Sequence, residues 1–247
     1  VSQAQETSHK KQEGIMRIIL ATHNEGKLVE LEEILKARLG ESASNLELVT
    51  AGSLDLEDPV ETGTSFEENS LLKARFVARK TGSPAIADDS GLIVDFLGKA
   101  PGILSARWAG VHGDDAANNR LLLAQLADIP DEARAARFVC CASLVVPAEV
   151  VSSQKGAEPV SPSSARATGA GFEVSRTGEM AGTLLHAPRG ANGFGYDPLF
   201  VPDDQPIGRA GSTPLTSAEL SAEQKNAISH RGKAFRALAA DIARLLD

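Results

Sequence analysis

The chain has 247 residues, 42% of them hydrophobic and 23% charged, with a formal net charge of −8. That length buries a substantial core, and the acidic balance disfavours a partner such as nucleic acid or anionic membrane, which is met by a basic footprint. No apolar run reaches the roughly 18 residues of a membrane-spanning helix, so neither nucleic acid nor membrane is expected as a partner, whereas an anionic small molecule remains open through a local Lys/Arg cluster.

Residues 1–15 are polar and lack an apolar core, so they read as a disordered tail or an expression remnant and not a secretory signal, with Met16 a candidate start. Met16 to Ala21 reads as a short strand. The polar loop Thr22-His23-Asn24-Glu25-Gly26-Lys27 follows, and then Leu28, Leu31, Leu35 and Leu39 recur at helical spacing. This order puts free amides at a helix N-terminus, where anions bind readily. The loop is not a P-loop, because Leu28 follows Lys27 where that motif needs Ser or Thr. Two readings stay open for it, an anion cradle and a helix simply capped by Asn24.

Leu46 to Thr50 reads as a second strand. Glu61 to Gly82 holds the next helix, with Ser65 as N-cap, Glu68 at the third helical position, and Leu72 and Phe76 marking the buried face. Ala85 to Val94 reads as strand, sharp turn, strand, with Asp88, Asp89 and Ser90 at the break before Gly91. Neighbouring carboxylates repel each other, so this pair requires a cation or a shared proton. A Gly/Pro-rich connection runs through Pro101, and Asp114 or Asp115 caps a helix reaching about Ala127.

Arg137 to Val146 is a long apolar strand carrying both cysteines. Strand alternation points Cys140 and Cys141 to opposite faces, so they read as buried structural thiols in a reducing cytoplasm. From Pro147 to Gly171 the composition turns to Ser, Pro, Gly and Ala, which predicts a long mobile loop or hairpin extension inside a single domain, 16–247. Phe172 to Ala187 resumes strand character with a turn at Gly178, and Gly190 to Phe200 is a glycine- and aromatic-containing loop. Lys225 to Leu246 closes the chain as a helix with Phe235, Leu238, Ile242, Leu245 and Leu246 on its apolar face. Mixed strands and helices without repeats argue for an α/β fold with a mixed sheet.

The loop around Phe194 and Tyr196 lacks the GxGxxG spacing of a dinucleotide site. Its three glycines suit either a backbone that approaches something flat, such as a nucleobase, or a structural turn. Lys225, His230 and Arg231 gather three potentially cationic groups, with Ser229 able to cap a new helix; a solvated helix face is the plainer reading. His23 and His112 have no metal-ligand spacing, and no GxSxG nucleophile motif is present.

Taken together, the windows Ala21 to Lys27, Glu61 to Asn69, Leu72 to Ala74, Pro84 to Gly91, Ala100 to Arg107, Gly193 to Phe200 and Lys225 to Arg231 resemble the inosine triphosphate pyrophosphatase family, within it the bacterial XTP/dITP diphosphatases. The resemblance runs from Met16 to the C-terminus; the 147–171 segment is longer than the family usually has, and the tail is extra. It implies an elongated two-lobed α/β domain with a central curved mixed sheet flanked by helices, a cleft between the lobes, a cytoplasmic homodimer, and Mg²⁺. The implied reaction is hydrolysis of XTP, dITP and ITP between the α and β phosphates.

On that resemblance, Thr22, His23, Asn24, Glu25, Gly26 and Lys27 would hold the triphosphate, with Lys73 as a second cation. Glu61, Asp88 and Asp89 would gather the metal, an oxygen-only set that suits Mg²⁺. Asp89 would also be the general base, and Ser90 would contact substrate beside it. An unperturbed Asp titrates near 3.9 and is a weak base at neutral pH, so metal polarisation of the water must supply much of the activation. Phe194, Gly195, Tyr196, Asp197, Lys225, His230 and Arg231 would surround the base, where a guanidinium rewards the 6-keto group of inosine and xanthine over the 6-amino group of adenine. Ser229-His230-Arg231 argues against a septum-formation-inhibitor type pyrophosphatase, and no Nudix box exists. A nucleotide sensor without catalysis is disfavoured by the intact Glu61, Asp88 and Asp89.

Overall fold

The computed structural model describes residues 15–153, 166–168, 171–206 and 213–246. The tail 1–14 and most of the 147–171 segment, for which a mobile loop is expected, lie outside the described residues. What is described of that segment includes a short helix and a strand paired to the sheet.

In chain order the elements are β1 (Met16–Leu20), α1 (Glu25–Leu39), β2 (Leu46–Thr50), α2 (Phe66–Thr81), β3 (Ala85–Val94), α3 (Asp115–Gln125), β4 (Ala135–Pro147), α4 (Ala148–Ser153), β5 (Arg166–Thr168), β6 (Gly171–Leu184), β7 (Phe200–Pro202), α5 (Ala222–Ile228) and α6 (His230–Leu246). The sheet order is β2-β1-β3-β4-β6-β5, with β7 also on β6. β1 runs parallel to β2 and β3, and the remaining pairings are antiparallel. The mixed α/β sheet flanked by helices is therefore as expected.

Three corrections to the chain-order reading matter for the site. Ala85–Val94 is one unbroken strand, paired residue for residue with β4 from Ala85↔Val145 to Val94↔Ala136, and there is no turn at Asp88. Gly91 is there for close approach: a Cβ on it would lie 2.3 Å from the Gly102 carbonyl oxygen and 2.6 Å from Ser105 Oγ. The 3-10 segment Gly102–Arg107 thereby packs on the strand, and Ser105 Oγ accepts the Leu92 amide at 2.8 Å.

β6 likewise passes through Gly178 without a turn. A Cβ there would meet the His230 carbonyl oxygen at 2.2 Å and the Ala234 nitrogen at 2.5 Å, so a bare backbone lets the start of α6 rest on the sheet. The closing helix is two helices, broken at Ser229. Its hydroxyl accepts the Gly232 amide at 2.9 Å, the cap anticipated for that residue. A fourth, smaller difference is that α2 buries its small residues Ser70, Ala74, Val77 and Ala78, leaving Leu72 and Phe76 half-buried.

The long strands β3, β4 and β6 connect separate apolar clusters. At one end Ile86, Leu144 and Val174 pack beneath α1 and α6, while Ala85, Ala87 and Val145 on the opposite face pack beneath α2. At the other end Leu92, Val94, Phe138, Met180 and Leu184 pack with Leu122 and Leu126, from α3 and its C-terminal cap. Residues 88–91 of β3 fall between these clusters, which is where polar side chains can interrupt an otherwise buried strand. The cysteines on β4 are both buried and free. Burial pushes the Cys140 thiol up to about 12, so it stays protonated as a packing group.

Candidate active site

Strand alternation separates the two carboxylates. Asp88 shares the parity of Ile86 and points to the α1/α6 face, whereas Asp89 shares that of Ala87 and points to the α2 face. Their mutual repulsion is therefore reduced, and each meets its own cations.

Asp88 is 3% exposed. Lys27 Nζ donates to its Oδ1 at 2.7 Å, and Arg231 Nε and Ser90 Oγ reach its Oδ2, both at 3.3 Å. Burial opposes ionisation here, but Lys27 and Arg231 outweigh it and hold the carboxyl well below the usual carboxylate range. Arg231 is braced a second time, with Nη1 3.9 Å from Glu30 on α1. Lys27 is delivered by the first turn of α1, whose cap is Asn24 accepting the Gly26 amide at 2.9 Å. Asn24 thus caps α1, and the cap leaves Lys27 on the cleft side.

Asp89 faces a different set. Asn69 Nδ2 donates to Oδ2 at 3.1 Å, and Lys73 Nζ lies 3.6 Å from Oδ1. The same ammonium donates to Glu61 at 2.8 Å, and Arg107 lies 3.9 Å from the other Glu61 oxygen. Burial raises the Asp89 carboxyl above its ordinary value; Lys73 works against this and Glu61 reinforces it. Burial also works against the Lys73 ammonium, but Asp89 and Glu61 more than compensate, so it stays charged.

Among the described residues no three His, Cys, Asp or Glu side chains already form a metal cage. Glu61 and Asp89 nonetheless flank one cationic point, taken here by the Lys73 ammonium. Two carboxylates at an open cleft suit Mg²⁺, which binds through one or two carboxylates together with substrate phosphates and not in an all-protein cage. Asp88 has both oxygens engaged by Lys27, Arg231 and Ser90 and lies on the opposite face.

The cleft comprises three cavities that share Lys27. One of about 580 Å³ is lined by Thr22, His23, Glu61, Lys73, Asp88 and Arg107. One of about 200 Å³ is lined by Asp88, Asp89, Ser90, Tyr196, His230 and Arg231. The third, about 740 Å³, is lined by Asn24, Gly26, Phe194, Lys225, His230 and Arg231. Lys27, Lys73, Arg107, Lys225 and Arg231 thus make a cationic tract inside an acidic protein, the arrangement that collects an anionic ligand.

Other expected residues have particular settings. Thr22 Oγ1 accepts the Asn24 amide at 3.1 Å, and His23 links to Asp58 at 3.1 Å and to the Leu56 carbonyl at 2.9 Å. Glu25 turns away to accept from Thr50 on β2 at 3.0 Å. The Phe194 residue is 63% exposed with Lys225 Nζ 5.0 Å from its ring centre, and Lys225 also donates to buried Asp197 at 2.5 Å. The Tyr196 hydroxyl is spent on the Ser105 carbonyl at 2.9 Å, and burial together with Asp115 raises it well beyond reach of neutral pH. Asn69, Arg107 and Glu30 carry no site role in the sequence, and Asp115 stands there only as an alternative helix cap to Asp114. Asn69 and Arg107 lie inside the windows that carry the resemblance, while Glu30 has the signal of an ordinary helix-surface acid.

His230 is buried and stacks on Phe138, ring centres 5.0 Å apart and planes 15° from parallel, and its Nδ1 has no hydrogen-bond partner among the described residues. Burial, then Arg231 and Lys225, lower its pKa to about 3, so the ring is neutral. An unfolded imidazole titrates near 6.5. Between these values the unfolded chain binds a proton that the fold excludes, so stability is full above about pH 6.5 and falls progressively towards pH 3. Denaturant melts should show a loss of a few kcal/mol across that window, largely abolished in His230→Asn. Asp88, depressed in the fold, adds its own loss only below about pH 4.

The sequence profile of the Ham1 family matches residues 18–241. The dITP/XTP pyrophosphatase of Bifidobacterium animalis subsp. lactis is 60% identical over 237 residues, covering 94% of this chain and 99% of that protein. The crystal structure of a nucleoside-triphosphatase / dITP/XTP pyrophosphatase from Mycobacterium abscessus is 46% identical, with a TM-score of 0.66, over 91% of this chain and 97% of that one. A HAM1 protein from Coxiella burnetii is 34% identical with a TM-score of 0.72, over 93% and 100%. No helix among the described residues is long and apolar enough to cross a membrane.

Proposed function

The chain belongs to the Ham1 family, and we propose on that premise that it is a dITP/XTP pyrophosphatase, converting dITP, XTP and ITP to the monophosphate and pyrophosphate. It would act as a homodimer on the cytoplasmic nucleotide pool and remove deaminated purines. The observation that carries the mechanism is Asp89, a carboxylate of raised pKa lining the smallest cavity, beside the larger cavity lined by Lys27, Lys73 and Arg107.

In this reading Lys27, Lys73 and the Thr22–Gly26 loop bind the outer phosphates, and the nucleoside occupies the cavity lined by His230 and Arg231. The phosphorus nearest the nucleoside then lies closest to Asp89, which takes the proton of the attacking water. The raised pKa makes Asp89 a better base than an ordinary carboxylate, while Asn69 orients it. Glu61 and Asp89 would hold Mg²⁺; the family resemblance also implies Asp88, whose two oxygens are engaged by Lys27, Arg231 and Ser90. When bound, the ion neutralises phosphate charge and polarises water. Asp88 has a second task that its contacts support better, fixing Lys27 and Arg231 from below.

For selectivity, the Arg231 guanidinium donates only. A 6-keto purine offers it an acceptor, and a 6-amino purine leaves donors facing each other. A panel of dITP, XTP, ITP, dGTP, dATP and dUTP with pyrophosphate and phosphate detection tests this. Rapid pyrophosphate release from dITP and XTP, at least about a hundredfold above dATP in kcat/KM, is the expected result. Tight binding of dITP without turnover would reinstate a nucleotide sensor.

A further inference from the structure

The loop that carries Phe194 is held from across the cleft by one turn of α3. Asp115 Oδ2 accepts the Gly195 amide at 2.6 Å, and Asn119 Nδ2, four residues on along the same helix, donates to the Gly195 carbonyl at 2.8 Å. A residue pair at i and i+4 lies on one helix face, so both polar groups of one residue are gripped by two side chains of that face. Gly195 has φ +61°, a conformation that fixes the direction of the chain between Phe194 and Tyr196. On its other side the loop is tied to Asp197, whose Oδ2 accepts the Phe194 amide at 2.9 Å, and to the Ala218 carbonyl through Asn192. Asp115 itself lines the cavity that Asp89, His230 and Arg231 share.

Resting on the function proposed above, we infer that Asp115 and Asn119 are positioning residues that set where Phe194 stands against the nucleobase, and so govern base selectivity without taking part in the hydrolytic step. Phe194 is largely exposed, and among the described residues its ring has few partners besides the Lys225 ammonium. Its location is therefore decided by backbone tethers more than by side-chain packing. The clamp is a hydrogen-bonded one: a carboxylate or an amide oxygen at position 115 can accept the Gly195 amide, and a methyl group cannot. Glu61 and Lys73, by contrast, are placed by α2 and the segment before it.

The test uses the full chain and compares wild type, Asp115→Ala, Asp115→Asn and Asn119→Ala, with dITP and dGTP as substrates and thermal melts alongside. Expected for Asp115→Ala is a KM for dITP raised about tenfold, a kcat within about twofold of wild type, and a dITP/dGTP ratio of kcat/KM lowered by a similar factor. Asp115→Asn should recover most of both, and Asn119→Ala should show a weaker form of the same pattern. An unchanged KM and unchanged selectivity in Asp115→Ala would overturn the inference. So would a loss confined to melting temperature, or an Asp115→Asn no better than alanine. Failure of the wild type to hydrolyse dITP would instead overturn the function on which the inference rests.

Discussion

Asp89→Asn is expected to lower kcat for dITP by about 10³-fold, within the range typical of removing a positioned general base, while dITP still binds. The amide cannot take a proton from water, but it keeps the shape of the carboxylate and its contact with Asn69. Because burial raises the Asp89 pKa, the ionised form is disfavoured in the fold, and neutralising it costs the fold nothing at neutral pH. The variant should therefore melt no lower than wild type. Lys73 keeps Glu61 as a partner. The same raised pKa has a kinetic counterpart in the wild type. The base must be ionised, so activity is lost as pH falls through its folded value, and the acid limb of kcat/KM should lie above the ordinary Asp value near 3.9. An Asp89→Asn enzyme with wild-type kcat would remove Asp89 from the chemistry.

Asp88→Asn should fail in a different way. This carboxylate is the counter-ion of two buried or half-buried cations, Lys27 and Arg231, and its pKa is depressed by them. Replacing it with an amide leaves Lys27 without its partner and Arg231 with only Glu30 at 3.9 Å. Breaking one side of such a buried network costs on the order of 3 kcal/mol. The expected result is a clear fall in melting temperature together with a raised KM, since both cations line the cleft. Neighbouring residues in one strand thus give opposite phenotypes, one losing turnover with the fold intact and the other losing stability and affinity. Equal stability of Asp88→Asn and wild type would mean that Lys27 and Arg231 find other partners.

Much of the site was legible because its residues cluster in short windows. The Ser65 cap, a helix cap at Asp114 or Asp115 and the buried cysteines follow from local rules, and the structure has each, with Asp114 as the cap; the polar loop after β1 is shorter than its composition suggests, because Glu25, Gly26 and Lys27 already form the first turn of α1. What misled was glycine. Gly91 and Gly178 read locally as turns, since a glycine in a polar break usually bends the chain. Both lie in straight strands and mark places where another backbone comes within a Cβ's reach. That signal is tertiary, and no window of sequence contains it. Reading a turn at Asp88-Asp89 also put the two carboxylates in conflict, when strand alternation sends them to opposite faces. The cation partners were equally hidden: Lys27, Lys73 and Arg231 are separated from the strand by up to 143 residues, and only the packing of α1, α2 and α6 brings them there. Asp115 reads locally only as a possible helix cap, because its partner in the fold is a main-chain amide 80 residues away.

In the proposed mechanism, water assisted by Asp89 attacks the phosphorus next to the nucleoside while Lys27 and Lys73 hold the leaving pyrophosphate. Hydrolysis of dITP in ¹⁸O-labelled water, with mass analysis of both products, tests it most directly. The expected outcome is one ¹⁸O in dIMP and none in pyrophosphate; label in pyrophosphate, or release of inorganic phosphate in its place, would rule this mechanism out.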